Sequence, residues 1–293
     1  MKEKEKIIKA GKIASKAKDF AREIIKPNMP LLEIAEKIEE FIKKKGGKPA
    51  FPTNLSINEI AAHYTPSYND ETLAHGLLKI DLGVHIDGYI ADTAFSLDLE
   101  NNQENKKLIQ TAEQALKNAE EIIQTGISTN EIGKEIQRTI ISQGLNPIVN
   151  LSGHEIERYD LHAGITIPNI NDNKTQILHK GLYAIEPFVT QGNGKVYDSK
   201  PSGIYMLLES KNVRSPIARE VLTYIIDEYG SLPFCSRWLV KKFGTKALIG
   251  LKQLEEQGNL HQFPQLIEIS KRKVAQAENT ILLEEDKKII TTE

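Results

Sequence analysis

Asp81 and Asp92 flank an Asp87-Gly88 pair in a stretch otherwise rich in aliphatic residues. Asp-Gly at a two-residue turn supplies the positive φ angles of a type I′ hairpin, so Leu77 to Leu97 reads as two antiparallel strands. With the turn there, Asp81 stands opposite Ala94, and Asp92 lies two positions along on the same face. Diagonal neighbours of this kind are roughly 7–8 Å apart at the backbone, and their side chains can converge. Two carboxylates aimed at one apolar-flanked point repel each other unless a cation sits between them or one is protonated.

Other acids interrupt apolar, strand-like runs in the same way. Glu186 lies in Leu182-Tyr183-Ala184-Ile185-Glu186-Pro187-Phe188, and Glu278 lies within Val274 to Leu283. A carboxylate buried without a partner is costly, so each calls for a metal, a base or a hydrogen-bond cluster. His154 follows Ser152-Gly153, where glycine permits a close backbone approach, and His162 follows in Leu161-His162-Ala163-Gly164. Singly, each has an ordinary structural explanation, as a surface or turn aspartate or a satisfied, partly buried histidine. Residue types and spacing alone reach no further than a carboxylate-rich metal hydrolase.

These side chains need a scaffold. Ile7, Ala10, Ile13, Ala14, Ala17, Phe20, Ala21 and Ile24 recur at helical spacing and predict a first amphipathic helix ended by Pro27 and Pro30. A second is expected from about Leu31 to Lys45, stopping at Gly46-Gly47, and a polar, proline-marked stretch, Pro49 to Asn58, follows. After the hairpin come two helices, from about Glu104 to Gln124 and from the capping box Ser128-Thr129-Asn130-Glu131 to near Gly144. Strand-like runs then carry Val149 to His154, His162 to Ile167 and Gly181 to Thr190. A helical block, with pieces at Ile217–Glu228, Ser236–Phe243 and Leu248–Glu256, fills about 210–262 before strands return at Val274 to Leu283 and Ile289 to Thr292. Helices between strand-rich segments read as an insertion in one mixed domain spanning 1–293. The class is α+β, with helices covering a largely antiparallel sheet.

Bulk properties narrow the setting. The 293 residues are 40% apolar and 27% charged, as in ordinary globular proteins. Cys235 is the single cysteine, which excludes an internal disulfide and fits a reducing compartment. A net charge of −2 gives no global case for nucleic-acid binding. The basic start, Met1 to Lys18, lacks the apolar run of a signal sequence, and no segment reaches a membrane-spanning length, so a cytoplasmic protein is expected.

Six separated segments resemble the type 2 methionine aminopeptidases. They are Phe51 to Pro66 (FPTNLSINEIAAHYTP), Asp81 to Ala94 (DLGVHIDGYIADTA), Leu151 to His154 (LSGH), Leu161 to Gly164 (LHAG), Ala184 to Phe188 (AIEPF) and Ala275 to Ile281 (AQAENTI). They stand in that family's order and span most of the chain. The resemblance implies the pita-bread fold, two αβ halves related by a pseudo-twofold axis around a dinuclear metal site. It also implies that Asp81, Asp92, His154, Glu186 and Glu278 are metal ligands, with Asp92 and Glu278 bridging, Asp81 chelating one ion, and His154 and Glu186 holding the other. His63 and His162 correspond to two active-site histidines that are not ligands. The helical block matches the insertion of type 2 enzymes, and the short N-terminus is similar to the archaeal form. Asn279 departs from the pattern, standing where many relatives have histidine, and the loop from His63 to Asp81 is slightly short.

The implied activity is removal of the initiator methionine from nascent proteins. Such an oxygen-rich ligand set suits two divalent ions among manganese, iron, cobalt and zinc, which activate a water for attack on the scissile carbonyl. Glu186 would also shuttle a proton from that water to the leaving amine, His162 would hydrogen-bond the developing oxyanion or the scissile amide, and His63 would orient the leaving side. Phe51 and Phe263, with Leu161 and Ile204, would line a pocket for the thioether. Peptides beginning with methionine are the expected partners, with transient ribosome contact, and a monomer is the expected state. His75, His85, His179 and His261 carry no assigned role. Two rivals share the fold: a proline dipeptidase-like hydrolase, although such chains usually carry a separate N-terminal domain, and a metal-free binding relative, although all five ligand positions here hold competent side chains.

Overall fold

The first helix, α1 (Glu3–Ile24), buries Ile7, Ala10, Ile13, Ala14, Ala17 and Ala21. That narrow, alanine-rich stripe lets the helix lie close over the sheet beneath it. Proline interrupts the chain after it, and α2 (Leu31–Lys44) buries Ile34, Ala35, Ile38 and Ile42 against the same layer. The structure, a computed structural model, describes residues 2–293.

Next come β1 (Lys48–Pro49), β2 (Asn54–Ile57), β3 (Ile60–Ala62), β4 (Leu77–Ile86) and β5 (Tyr89–Asp98). The hairpin register is the one expected from an Asp87-Gly88 turn, with Asp81 opposite Ala94 and Gly83 opposite Asp92. Both turn residues have positive φ, 50° at Asp87 and 86° at Gly88. In the next layer α3 (Gln103–Ile122) is capped by the Asn102 side chain, and α4 (Thr129–Ser142) carries the Ser128–Glu131 capping box. These helices cover β6 (Asn146–Pro147), β7 (Ser152–Glu157), β8 (Asp160–Pro168), β9 (Gly181–Ile185) and β10 (Phe188–Thr190). A long strand follows, β11 (Val196–Leu207), then α5 (Pro216–Glu228), β12 (Phe234–Cys235), α6 (Ser236–Phe243), α7 (Lys246–Glu256) and β13 (Leu260–Glu268). The chain closes with β14 (Val274–Gln276), β15 (Asn279–Leu283) and β16 (Lys288–Ile290).

The strands form four antiparallel sheets instead of one. In the first half β4 sits between β1 and β2 and also pairs with β5; in the second the order is β16-β15-β9-β7-β8. Each half has its own core, α1 and α2 over the first sheet and α3 and α4 over the second. This is the pita-bread arrangement. The halves are stitched between Ala94 and Glu278, whose backbones exchange two hydrogen bonds of 3.3 and 2.9 Å. Thr280 adds a second tie: its hydroxyl accepts from Asp92 N at 2.7 Å and donates to Asp92 O at 2.8 Å. Buried Lys79 donates to the carbonyls of Asn58 and Val274, joining β4 to the start of β14.

Several elements differ from the sequence-based expectation. The proline-marked stretch contains β2, whose four residues are all buried. Strands β11 and β13 form the long arm of a sheet ordered β12-β11-β13-β3, and the end of the expected helical block, Leu260 to Gln262, belongs to β13. Pro201 and Pro264 face each other in that pair, with register shifts on both sides of Pro201. A prolyl residue cannot donate to a ladder, and the resulting bulges erase the period-two pattern that identifies a strand. The run Gly181 to Thr190 breaks at Glu186-Pro187, and the run Val274 to Leu283 breaks at Ala277-Glu278. Among the described residues, no helix is long and apolar enough to cross a membrane.

Candidate metal centre and substrate cavity

Five side chains reach one cavity of about 330 Å³ from five places in the fold. Asp81 comes from β4 and Asp92 from β5, and both line the cavity, the charge of Asp81 adding to the burial that raises Asp92. His154 comes from β7. Gly153 before it makes this possible, because a Cβ there would lie 2.3 Å from the carbonyl oxygen of Ala184 on β9. Glu186 and Glu278 occupy the two strand breaks. Leaving the ladder at Glu186-Pro187 and at Ala277-Glu278 turns each carboxylate out of its sheet and into the cavity.

Ligand atoms of Asp92, His154 and Glu278 lie within 4.8 Å of one another, and all three residues are buried. His154 Nε2 is 3.7 Å from Asp92 Oδ2 and 3.7 Å from Glu186 Oε1. Asp81 Oδ1 and Asp92 Oδ1 are buried and have no hydrogen-bond partner. Burial, reinforced by the neighbouring negative charges, raises Asp92, Glu186 and Glu278 well above the ordinary carboxylate range, and burial raises Asp81 to about 7. Burial also pushes the His154 imidazole down to about 3, so the ring is neutral. Its Nδ1 faces the Glu155 carbonyl at 3.4 Å, which leaves the Nε2 lone pair pointing at the carboxylates. Lone pairs converging from an imidazole and four carboxylates, in a cavity without a lysine or arginine in its lining, fit a divalent cation.

His63 follows β3 with φ 62°, a left-handed conformation that non-glycine residues adopt at a cost. Its Nδ1 lies 3.1 Å from the Pro264 carbonyl, and burial pushes the ring down to about 4. Since that carbonyl can only accept, Nδ1 carries the proton and Nε2 remains an acceptor. His162, on β8, is exposed at the cavity wall, its ring edge-on to His154 with centroids 4.5 Å apart. Phe51, Leu161, Ile204 and Phe263 all line the same cavity, Phe263 edge-on to His63 at 5.5 Å. Gly83 makes room for Phe51, since a Cβ there would lie 2.3 Å from that ring.

The histidines without an assigned role stay outside the lining. His85 accepts from Gly88 N at the hairpin turn, His75 bonds the Leu73 carbonyl, and His261 packs on the Phe263 ring. Asn279 points away from the cavity. Its Oδ1 accepts from Lys18 Nζ at 3.1 Å and Thr292 Oγ1 at 2.9 Å, while its Nδ2 donates to Glu120. Two amide side chains beside the proposed ligands carry no role in the sequence analysis. Asn54, opposite Asp81 on β2, buries an unpartnered Oδ1 there, and Gln276 donates to Glu186 Oε2 at 3.4 Å. Gln276 sits two positions before Glu278, and that spacing was its only signal.

A model of metallopeptidase family M24 matches residues 5–284. A methionine aminopeptidase of Pyrococcus horikoshii is 48% identical over 294 residues, covering 99% of each chain. Among solved structures, a methionine aminopeptidase from Thermotoga maritima aligns with a TM-score of 0.71 at 24% identity, over 99% of this chain and 96% of that one. A thermophilic Arx1 aligns with a TM-score of 0.82 at 16% identity, over 98% and 89%. The last two are likenesses of fold.

Proposed function

From the premise that the chain belongs to metallopeptidase family M24, we propose that it removes N-terminal methionine at this cavity, with Asp81, Asp92, His154, Glu186 and Glu278 holding two divalent ions. The chain is a metal-dependent aminopeptidase, and its substrates are peptides that begin with methionine. The observation that carries the site reading is the meeting of unpartnered carboxylate oxygens and the His154 lone pair beside an aromatic wall. Four carboxylates offset the charge of two dications, which supports that number. The hard ligand set supports cobalt, manganese, iron or zinc.

Divalent ions held there supply Lewis acidity, lowering the pKa of a water and polarising the scissile carbonyl. Glu186 takes a proton from the attacking water and returns it to the leaving amine. Its Oε2 is oriented by Gln276, and its position in a strand break leaves it half-buried at the cavity surface. His162, on the open side, donates to the developing oxyanion or the scissile amide. His63, neutral and with Nε2 free to accept, receives the amide N–H on the leaving side. Phe51, Leu161, Ile204 and Phe263 form the wall against which the thioether packs, and sulfur sits well at aromatic edges. The whole chain works as one catalytic unit, with α5 to α7 inserted between β11 and β13. We place it in the cytoplasm as a monomer touching the ribosome transiently, a setting consistent with a single buried, free cysteine.

The test is a metal-supplemented assay on Met-Gly and Ala-Pro peptides with metal content measured in parallel. Release of methionine supports this reading, Ala-Pro cleavage supports a proline dipeptidase, and absence of both metal and turnover supports a binding relative. Glu186→Gln in a metal-loaded protein is expected to lower kcat by about 10²–10⁴-fold, the range for loss of a positioned general base. Undiminished turnover at full metal content would remove Glu186 from the proton path.

A further inference from the structure

We infer that Glu39 and Arg237, a buried ion pair outside the cavity, are positioning residues that set the spacing between the two walls of the methionine pocket. The inference rests on the reading of the cavity as the methionine site. Glu39 lies on α2 and is 4% exposed; Arg237 is the second residue of α6 and is 3% exposed. The pair is bidentate, Arg237 Nη1 donating to Glu39 Oε2 and Nη2 to Oε1, each at 2.8 Å.

Three of the pair's four remaining side-chain contacts lead to the first pocket wall, and the fourth comes from Trp238 on α6. Glu39 Oε1 accepts from Thr53 N at 3.3 Å, between Phe51 and Asn54. Arg237 Nε donates to the Pro66 carbonyl at 3.0 Å, three residues beyond His63. These two stretches of the first wall are themselves laced together, Thr65 Oγ1 donating to Thr53 O and Leu55 N to Tyr64 O. The second wall hangs from the other partner. Pro233 lines the cavity immediately before β12, Cys235 of β12 pairs with Ile204, and α6 begins at the next residue. Trp238 Nε1 donates to Glu39 Oε2 at 2.8 Å and fixes the helix's rotation. One ion pair therefore sits where the Phe51–His63 wall and the Ile204–Pro233 wall are joined.

An ion pair is a poor device for stability alone, because apolar residues of similar size often hold a fold equally well. Its advantage here is directional. The guanidinium fork uses Nε, Nη1 and Nη2 at once, which an ammonium cannot imitate. Methionine and leucine side chains have equal numbers of heavy atoms and differ in branching and in sulfur, so a pocket that separates them works on differences no larger than that of one methylene, worth ~10–200-fold at best, and drift of a wall erases it.

The experiment uses the full-length, metal-loaded protein and a matched peptide series beginning with methionine, norleucine and leucine. The paired replacement E39M/R237M leaves no unpaired buried charge. It is expected to lower the methionine-to-leucine ratio of kcat/KM by about tenfold or more through KM. Metal content and kcat for the methionine peptide should stay within about threefold, because neither residue touches the metal centre. R237K, which keeps a charge but loses the fork, is expected to shift the ratio in the same direction and serves if the double variant does not fold. A ratio within about twofold of wild type in the folded variants overturns the positioning role while leaving the methionine site intact. A wild-type protein with no preference for methionine overturns the site reading and this inference with it.

Discussion

A methyl group on Gly153 would have no space, since its carbon would meet the Ala184 carbonyl oxygen at 2.3 Å. The strand carrying His154 would have to move off β9, taking the imidazole away from Asp92 and Glu278. Gly153→Ala is expected to cost about 1–3 kcal/mol, the usual price of overpacking, and to weaken metal retention. Urea melts with and without added metal, alongside metal analysis, measure both; unchanged values would mean that the backbone yields there without disturbing the site. At this scale the ligand-type residues were conspicuous, because an acid inside an apolar run demands a reason. Asn54 and Gln276 were not, since amides are unremarkable anywhere in a sequence. The neutral state of His63 was also invisible, because it depends on Pro264, a residue distant in the chain whose carbonyl meets Nδ1 only after folding.

The β4–β5 hairpin was the most legible element, its register following from two turn residues. Gly88 has φ 86°, and a Cβ there would lie 2.3 Å from the Tyr159 ring. Gly88→Ala should therefore destabilise the fold by about 1–3 kcal/mol, while metal-loaded molecules that remain folded keep wild-type kcat, because the turn lies six residues along β4 from Asp81 and four along β5 from Asp92. A lowered kcat per folded, metal-loaded molecule would show that the turn positions the ligands. Helices α1 to α4 were equally readable from period and capping residues. Strands β2, β11 and β13 were not, because polar residues, prolines and bulges break their alternation and long-range pairing alone makes them strands. The breaks at Glu186 and Glu278 were hidden for a related reason: each looked like one continuous run.

Across the whole molecule, the centre lies where the two halves meet, so a bound ion also ties them. Without metal, the raised carboxylates hold protons in the folded chain that the unfolded chain has released by about pH 4. The folded state then binds more protons between about pH 4 and 7, and this contribution to stability falls as pH rises through that window. Cation binding removes those protons. The Tm gained on adding divalent metal to chelated protein should therefore grow from about pH 5 to pH 7. A gain independent of pH would mean that the cation does not displace protons from this cluster. The division into halves with helices outside was readable from the order of periodic segments. The junction between them was not, for it depends on Ala94 and Glu278 finding each other from distant parts of the chain. Trp238 is the sole tryptophan of the chain, and its indole is bonded to Glu39 at the joint between the pocket walls. Indole emission therefore comes from that one spot, giving the molecule a native optical gauge of whether the joint is closed, readable in real time and without a label.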